Sequence, residues 1–228
     1  MHSISAIQQN KLISCKVYRC CGCGRATDAK DARYIYKKSC ICRACFAGIR
    51  SVEGSKRFFG DYYKDYTYSP FYYDGVFRHI FLSFKFNGNL AFGHLLGMAT
   101  GESLSDINEL HCYDAIVPIP LSRERLNERG YNQSLIIAEY ISRAIDVPVI
   151  ELLKRTVNTP AQSISVGTSR TRNLIGAFKA ASDTASKRVI LFDDIHTTGS
   201  TLNAGMVALK NAGAADVCYV TAAYVYSD

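Results

Sequence analysis

The stretch "RVILFDDIHTTGSTLNAGMVALKNAGAADVCYVTAAY", residues 188–224, decides how this chain reads. Val189-Ile190-Leu191-Phe192 is apolar at every position, the pattern of a strand covered on both faces. Two adjacent aspartates, Asp193 and Asp194, stand at its end. Like charges side by side are costly unless a cation or a polyhydroxyl ligand meets them. Thr197, Thr198, Gly199, Ser200 and Thr201 follow, running into an expected helix over 201–211. Hydroxyls and free backbone N–H groups at a helix start suit an anion. The stretch therefore predicts a diol or metal on one side and a phosphate on the other.

Working outward, the α/β pattern begins near Tyr113. "YDAIVPIP" predicts a short buried strand, and "NQSLIIAEYISRAI" an amphipathic helix capped by Asn132. "PVIELL" predicts another strand, followed by an irregular basic stretch to about Ala177. After the strand over 189–194, Gly213 stands where a helix C-cap glycine would, and 217–224 predicts the next strand. Strands alternating with helices imply a parallel sheet. Ligands in such a sheet bind at the carboxyl ends of the strands, where Asp193 and Asp194 are expected.

The chain has 228 residues, enough for one full core and a small appendage. Apolar content of 48% and charged content of 21% are those of an ordinary globular protein. No apolar run is long enough to span a bilayer, and the first residues lack the apolar segment of a secretory signal, so a cytoplasmic place is expected. The net charge of +7 is uneven. Residues 1–60 carry 12 Lys or Arg against 3 Asp or Glu, whereas residues 61–228 carry 15 against 17. The basic end suits an anionic partner, nucleic acid foremost, or is simply the solvated surface of a small module.

Of nine cysteines, seven lie between Cys15 and Cys45. Cys20-x-x-Cys23 and Cys42-x-x-Cys45, separated by 18 residues, have zinc-ribbon spacing. Each pair forms a tight turn that aims two thiolates at one tetrahedral ion, with Gly24 allowing a left-handed residue after the first. "ARYIYKKS" between them is strand-like. A closed four-sulfur site leaves no open coordination position, so the expected Zn²⁺ is structural. Cys15, Cys21 and Cys40 are surplus, and Cys21 or Cys40 is an alternative ligand. Three regions result: a zinc-ribbon module over 15–56, aromatic strands and a helical connection over 57–112, and an α/β domain over 113–228.

Residues 58–73, "FFGDYYKDYTYSPFYY", hold nine aromatics. Interleaved with Lys56, Arg57 and Lys64 they would stack single-stranded nucleic acid. Alternation about Thr67 and Tyr72 favours instead a pair of strands covering the junction between module and core. Val76, Phe77, Ile80, Phe81 and Phe84 have helical spacing, and a second helix is expected from Leu90 to about Leu104. Lys85-Phe86-Asn87-Gly88-Asn89 marks the break between them; Lys85 would face an anion or merely complement the helix C-terminus.

Asp193-Asp194-Ile195-His196-Thr197-Thr198-Gly199-Ser200-Thr201 resembles the phosphoribosyl pyrophosphate (PRPP) motif of type I phosphoribosyltransferases. The resemblance extends to the ComF family of competence-associated proteins. It is carried by the two Cys-x-x-Cys pairs, Lys85-Phe86 with Gly88, Val117-Pro118-Ile119-Pro120, and Arg129-Gly130-Tyr131-Asn132-Gln133. Arg155 with Gln162, and Arg170 with Asn173, Gly176 and Phe178, continue the family's order. The resemblance implies a type I phosphoribosyltransferase-like parallel sheet flanked by helices, with the N-terminal four-cysteine zinc ribbon. It implies that Asp193 and Asp194 hold the ribose hydroxyls and that Thr197, Thr198, Gly199, Ser200 and Thr201 hold the 5′-phosphate. Arg123, Arg125 and Arg129 would meet the pyrophosphate with Mg²⁺, and Arg155 and Arg170 would close over the site. His196 is an acid–base candidate, although an exposed loop histidine is usually incidental. The implied reaction is displacement at ribose C1 with pyrophosphate leaving. The family's association with natural transformation implies single-stranded DNA and a competence helicase as partners. A phosphoribosyltransferase with an unidentified acceptor and a nucleic-acid-binding factor with a regulatory or vestigial PRPP site both remain open. A P-loop nucleotidase is excluded, because no G-x-x-x-x-G-K-[ST] occurs.

Overall fold

A computed structural model describes residues 16–53, 56–58, 66–156 and 176–226. Its frame is a parallel core of three strands: β8 (Ala115–Pro118), β11 (Arg188–His196) and β12 (Asp216–Tyr224). β11 lies in the middle, with Val189 to Phe192 paired to Ala115 to Pro118 on one side. On its other side the register runs from Arg188↔Asp216 to His196↔Tyr224. The sheet continues beyond β12 through β6 (Tyr66–Tyr68), parallel to it, and β5 (Lys56–Phe58), antiparallel to β6. β7 (Phe71–Tyr72) also pairs with β12.

Alternation along β11 accounts for its apolar run. Ile190 and Phe192 belong to the core on one face, Val189 and Leu191 to the core on the other. The first face is covered by α2 (Gly75–Asn87), α3 (Leu90–Leu104) and α5 (Gln133–Ile145) through Phe77, Phe84, Leu96 and Ile137. α6 (Ser200–Asn211) covers the second, with Leu202, Met206 and Leu209 buried there. α3 and α5 approach closely at Gly101, where a Cβ would meet the Tyr140 carbonyl oxygen at 2.9 Å. α4 (Arg123–Arg129) is a short exposed helix between β8 and α5.

The N-terminal module is a four-stranded sheet in the order β2 (Ala26–Thr27), β1 (Tyr18–Cys20), β4 (Ser39–Cys42), β3 (Ala32–Tyr36), followed by α1 (Arg43–Ala47). It packs on the helical face and shares its core: Ile41 and Ile49 cluster with residues of α2, α3 and α5. Tyr34 donates a hydrogen bond to Glu102 Oε2 at 2.7 Å, and Arg33 pairs with the same carboxylate. Tyr36 stacks on His94 with ring centroids 4.1 Å apart.

Three expectations change. "PVIELL" does not form a strand of the main sheet. Val149 makes one isolated bridge to Ile116, and the chain then turns into β9 (Leu153–Arg155), which pairs antiparallel with β10 (Phe178–Ala180). The aromatic strands do more than cover a junction, because β6 and β7 are hydrogen-bonded into the sheet beside β12. β11 runs two residues past Asp194, which moves His196 from an exposed loop to a buried strand end, 5% exposed. The stretch 157–175, with Gln162, Arg170 and Asn173, lies outside the described residues, as do Cys15 and residues 59–65. Among the described residues no helix is long and apolar enough to cross a membrane.

Candidate functional site

The site is built at the carboxyl end of β11. Asp193 Oδ1 accepts the backbone N–H of Asp194 at 2.9 Å and the Ser134 hydroxyl, from the first turn of α5, at 3.2 Å. Asp194 Oδ1 accepts the N–H of Ile195 at 2.7 Å. Each Oδ1 atom is thus fixed locally. Neither Oδ2 atom accepts a hydrogen bond among the described residues. Each aspartate thus keeps one carboxylate oxygen without a hydrogen-bond donor among the described residues, and a hydroxyl could donate to either.

Burial, then the neighbouring Asp194 charge, pushes the Asp193 carboxyl up to about 7. The Asp194 N–H, Lys85 and Ser134 pull in the other direction without winning.

Beyond β11 the chain turns through Thr197, Thr198 and Gly199 into α6. Gly199 caps the helix in the left-handed region, φ 71°, with no side chain to occupy the first N–H groups. Thr198 Oγ1 and Ser200 Oγ lie 2.9 Å apart. Asp193, His196, Thr197, Gly199, Ser200 and Thr201 line one small concavity. N–H groups at a helix start, two facing hydroxyls and the positive end of a dipole are the elements of a phosphate cradle. His196 lies beneath it: a Cβ on Gly199 would come within 3.1 Å of His196 Nε2. Burial drives the His196 imidazole down to about 4, so the ring supporting the loop is neutral at neutral pH.

Cations converge from other elements. Lys85, in the last turn of α2, brings Nζ to 3.7 Å from Asp194 Oδ2. Arg129 donates to Gln133 Oε1 at 3.0 Å and is within electrostatic reach of Asp194. Arg155, in β9, is likewise within reach of Asp193. Burial first, and then the Arg125 charge, lowers both Arg129 and Arg155. Arg125, Arg129 and Arg155 thus lie within electrostatic reach of this end of the sheet, where their charges favour an anion. Arg123 is exposed in the first turn of α4 and its charge is not felt at Arg129 or Arg155; Arg125 occupies that place.

Lys85 reads in the sequence either as facing an anion or as a helix-end lysine, and nothing local to α2 foretells its ion pair with Asp194. The motif Lys85-Phe86 with Gly88 was the available signal. Ser134 escaped notice altogether; its place next to Asn132 and Gln133 was the only hint.

In the module, one sulfur from each of Cys20, Cys23, Cys42 and Cys45 lies within 4.8 Å of the others. A tetrahedron with arms of about 2.3 Å has edges of about 3.8 Å, so the set is close to closing on one ion. Arg25 donates to Cys23 Sγ at 3.4 Å and lowers that thiol to about 6. The Cys42 N–H donates to Cys20 Sγ, and the Cys45 N–H to Cys42 Sγ, both at 3.4 Å. Cys21 and Cys40 are buried beside the set but outside it, and burial raises both thiols. Gly24 has φ +73°, as the turn requires.

Residues 132–227 match the phosphoribosyl transferase domain family. Competence protein F of Haemophilus influenzae is 35% identical over 114 residues, 48% of this chain and 50% of that protein. Competence protein ComFC of Bacillus subtilis is 30% identical over 156 residues, 67% of this chain and 62% of that protein. DNA utilization protein YhgH of Escherichia coli K12 is 34% identical over 104 residues, 45% of this chain and 46% of that protein. The chain thus spans between 46% and 62% of the length of these relatives.

The placement of His196 makes a prediction. Its folded-state pKa lies below the unfolded value, so stability is fully present above about pH 6.5 and falls as pH drops toward about 4. NMR titration should follow the His196 ring to a midpoint near 4. A midpoint near the ordinary histidine value would instead place the ring in solvent.

Proposed function

We propose that this ComF-family chain, whose residues 132–227 carry a phosphoribosyl transferase domain, binds PRPP or a related 5-phosphoribosyl ligand at the end of β11. The observation that carries this reading is an aspartate pair at the strand end, each with one carboxylate oxygen lacking a hydrogen-bond donor among the described residues, followed at once by a helix start whose turn and Asp193 line one concavity. In the proposed pose the 2′ and 3′ hydroxyls donate to Asp193 and Asp194. The 5′-phosphate takes the N–H groups and hydroxyls of Thr197, Thr198, Gly199, Ser200 and Thr201. Arg125, Arg129 and Arg155 face a pyrophosphate on C1.

Mg²⁺ fits as an ion carried by the ligand. Among the described residues only the cysteine set brings three or more His, Cys, Asp or Glu side chains together around one point. On the pyrophosphate oxygens it would neutralise leaving-group charge. Displacement at C1 then asks little of the protein beyond positioning and electrostatics: the carboxylates stabilise the cationic ring, and the arginines stabilise the departing anion.

The same proposal extends to the module. Zn²⁺ held by Cys20, Cys23, Cys42 and Cys45 ties β1, β4 and α1 together, and its closed thiolate set makes it structural. Nine Lys and Arg side chains between residues 16 and 53, all exposed, stand against three acidic ones. That surface suits a polyanion, and relatives named for competence and for DNA utilization make DNA the favoured one; single-stranded DNA in the cytoplasm, with a competence helicase as a further partner, is part of the same proposal. In a second reading the phosphoribosyl site regulates this DNA binding and transfers nothing.

Calorimetric titration with PRPP and Mg²⁺ should give binding that Asp194→Asn and Thr198→Ala each weaken at least tenfold, about 1.4 kcal/mol or more. Affinity should also decline as pH falls through about 7, because protonation of Asp193 removes a hydroxyl acceptor. Unchanged affinity in both variants would defeat the assignment. Elemental analysis should find one zinc per chain, lost in Cys42→Ser; metal-free, fully folded protein would refute the zinc site. Binding to a labelled single-stranded oligonucleotide should fall steeply with salt and weaken in a Lys30→Glu/Lys38→Glu variant. Equal binding by that variant would remove the module from the DNA interface.

A further inference from the structure

We propose that Lys85 is a positioning residue of this site: its ammonium stands beside Asp194 where a divalent cation would otherwise balance the acidic pair, so the 5-phosphoribosyl moiety binds without one. This rests on the phosphoribosyl reading of the site. Lys85 lies in α2, outside residues 132–227, so the phosphoribosyl transferase domain itself does not supply this cation.

Four observations carry the inference. Nζ lies 3.7 Å from Asp194 Oδ2, with the two side chains only 26% and 12% exposed. That separation makes an ion pair but is too long for a hydrogen bond, so Oδ2 keeps its lone pairs for a hydroxyl donor. The lysine is held: Nζ lies 5.3 Å from the centroid of the Phe81 ring, itself fully buried. The end of α2 is anchored next to the site, because Phe84 stacks on Tyr131 with centroids 5.3 Å apart and the Tyr131 hydroxyl donates to the Phe84 carbonyl.

The electrostatic consequence is direct. Two adjacent carboxylates repel, and the Lys85 ammonium beside Asp194 offsets part of that repulsion. No other Asp, Glu, His or Cys joins them in a group of three, so the described residues offer an ion no protein cage here. A resident lysine offsets part of that repulsion without one.

The test is calorimetric titration with ribose 5-phosphate, which lacks the pyrophosphate that would carry Mg²⁺. It is run in buffer free of magnesium and again with Mg²⁺, on the full chain and on Lys85→Met and Lys85→Arg. Omitting magnesium, rather than adding a chelator, leaves the cysteine site undisturbed. The wild-type affinity should change by less than about threefold between conditions, whereas Lys85→Met should weaken about tenfold without Mg²⁺ and recover most of it with Mg²⁺. Lys85→Arg should stay within about threefold of wild type in both. A merely structural lysine would weaken binding equally with and without Mg²⁺, and that result overturns the proposal. So does a wild type that needs Mg²⁺, or a Lys85→Met variant that binds like wild type without it. A wild type that binds neither ribose 5-phosphate nor PRPP under any condition defeats the phosphoribosyl reading itself, and this inference with it.

Discussion

Two carboxylates adjacent in the chain, at the end of a strand covered on both faces, set the terms for the rest of this structure. Asp193 and Asp194 stand just past the last residue that β8 pairs, Phe192, and β12 holds the strand through Asp193 and Ile195 on either side of Asp194. They cannot both be well solvated, because α5 and α2 come up against the same end of the sheet. The surroundings answer with Ser134 on one carboxylate, Lys85 on the other, and arginines from α4 and β9 further out. What stays open is one oxygen on each aspartate. A fold that needed only a stable strand would have ended it with neutral residues.

The turn proposed to cradle a phosphate depends on the same strand. β11 continues through His196, and the buried neutral imidazole then supports the turn at Gly199 from below. Burial of that histidine and openness of the helix start are two sides of one arrangement. A charged ring at this buried position would lack solvation, whereas the neutral ring packs there at little cost. The zinc-ribbon-like module is joined to this frame through the helices. Tyr34 and Arg33 meet Glu102, Tyr36 stacks on His94, and α2 then extends from the module's neighbourhood to the acidic pair. α2, whose Val76 lies beside Gly22 and Gly48 of the module and whose Lys85 stands beside Asp194, is the support that module and site share.

The parts of this account that were legible in the sequence are those whose signal is local. The apolar run and the Thr-Thr-Gly-Ser-Thr stretch specify strand and helix start, and the structure keeps that order with the two aspartates between them. Asn132 caps α5 through a hydrogen bond from the Ser134 N–H, as its residue type suggests. The cysteine spacing brought four sulfurs together. What escaped was long-range. That β6 and β7 would join β12 depends on a register more than 140 residues away in sequence. "PVIELL" has strand composition, yet its backbone meets β8 only at Val149 before turning away. The importance of Lys85 depends on where α2 ends relative to β11, which no periodicity within α2 encodes.

The central claim is a division of labour: hydroxyls of a ribose on Asp193 and Asp194, and its phosphate on the turn into α6. A crystal structure of the protein with ribose 5-phosphate tests it most directly. The account predicts phosphate density against the N–H groups from Thr198 to Thr201, and the two ring hydroxyls each within hydrogen-bond distance of one aspartate. Density elsewhere on the sheet, or a sugar reversed with its phosphate among the arginines, would contradict it.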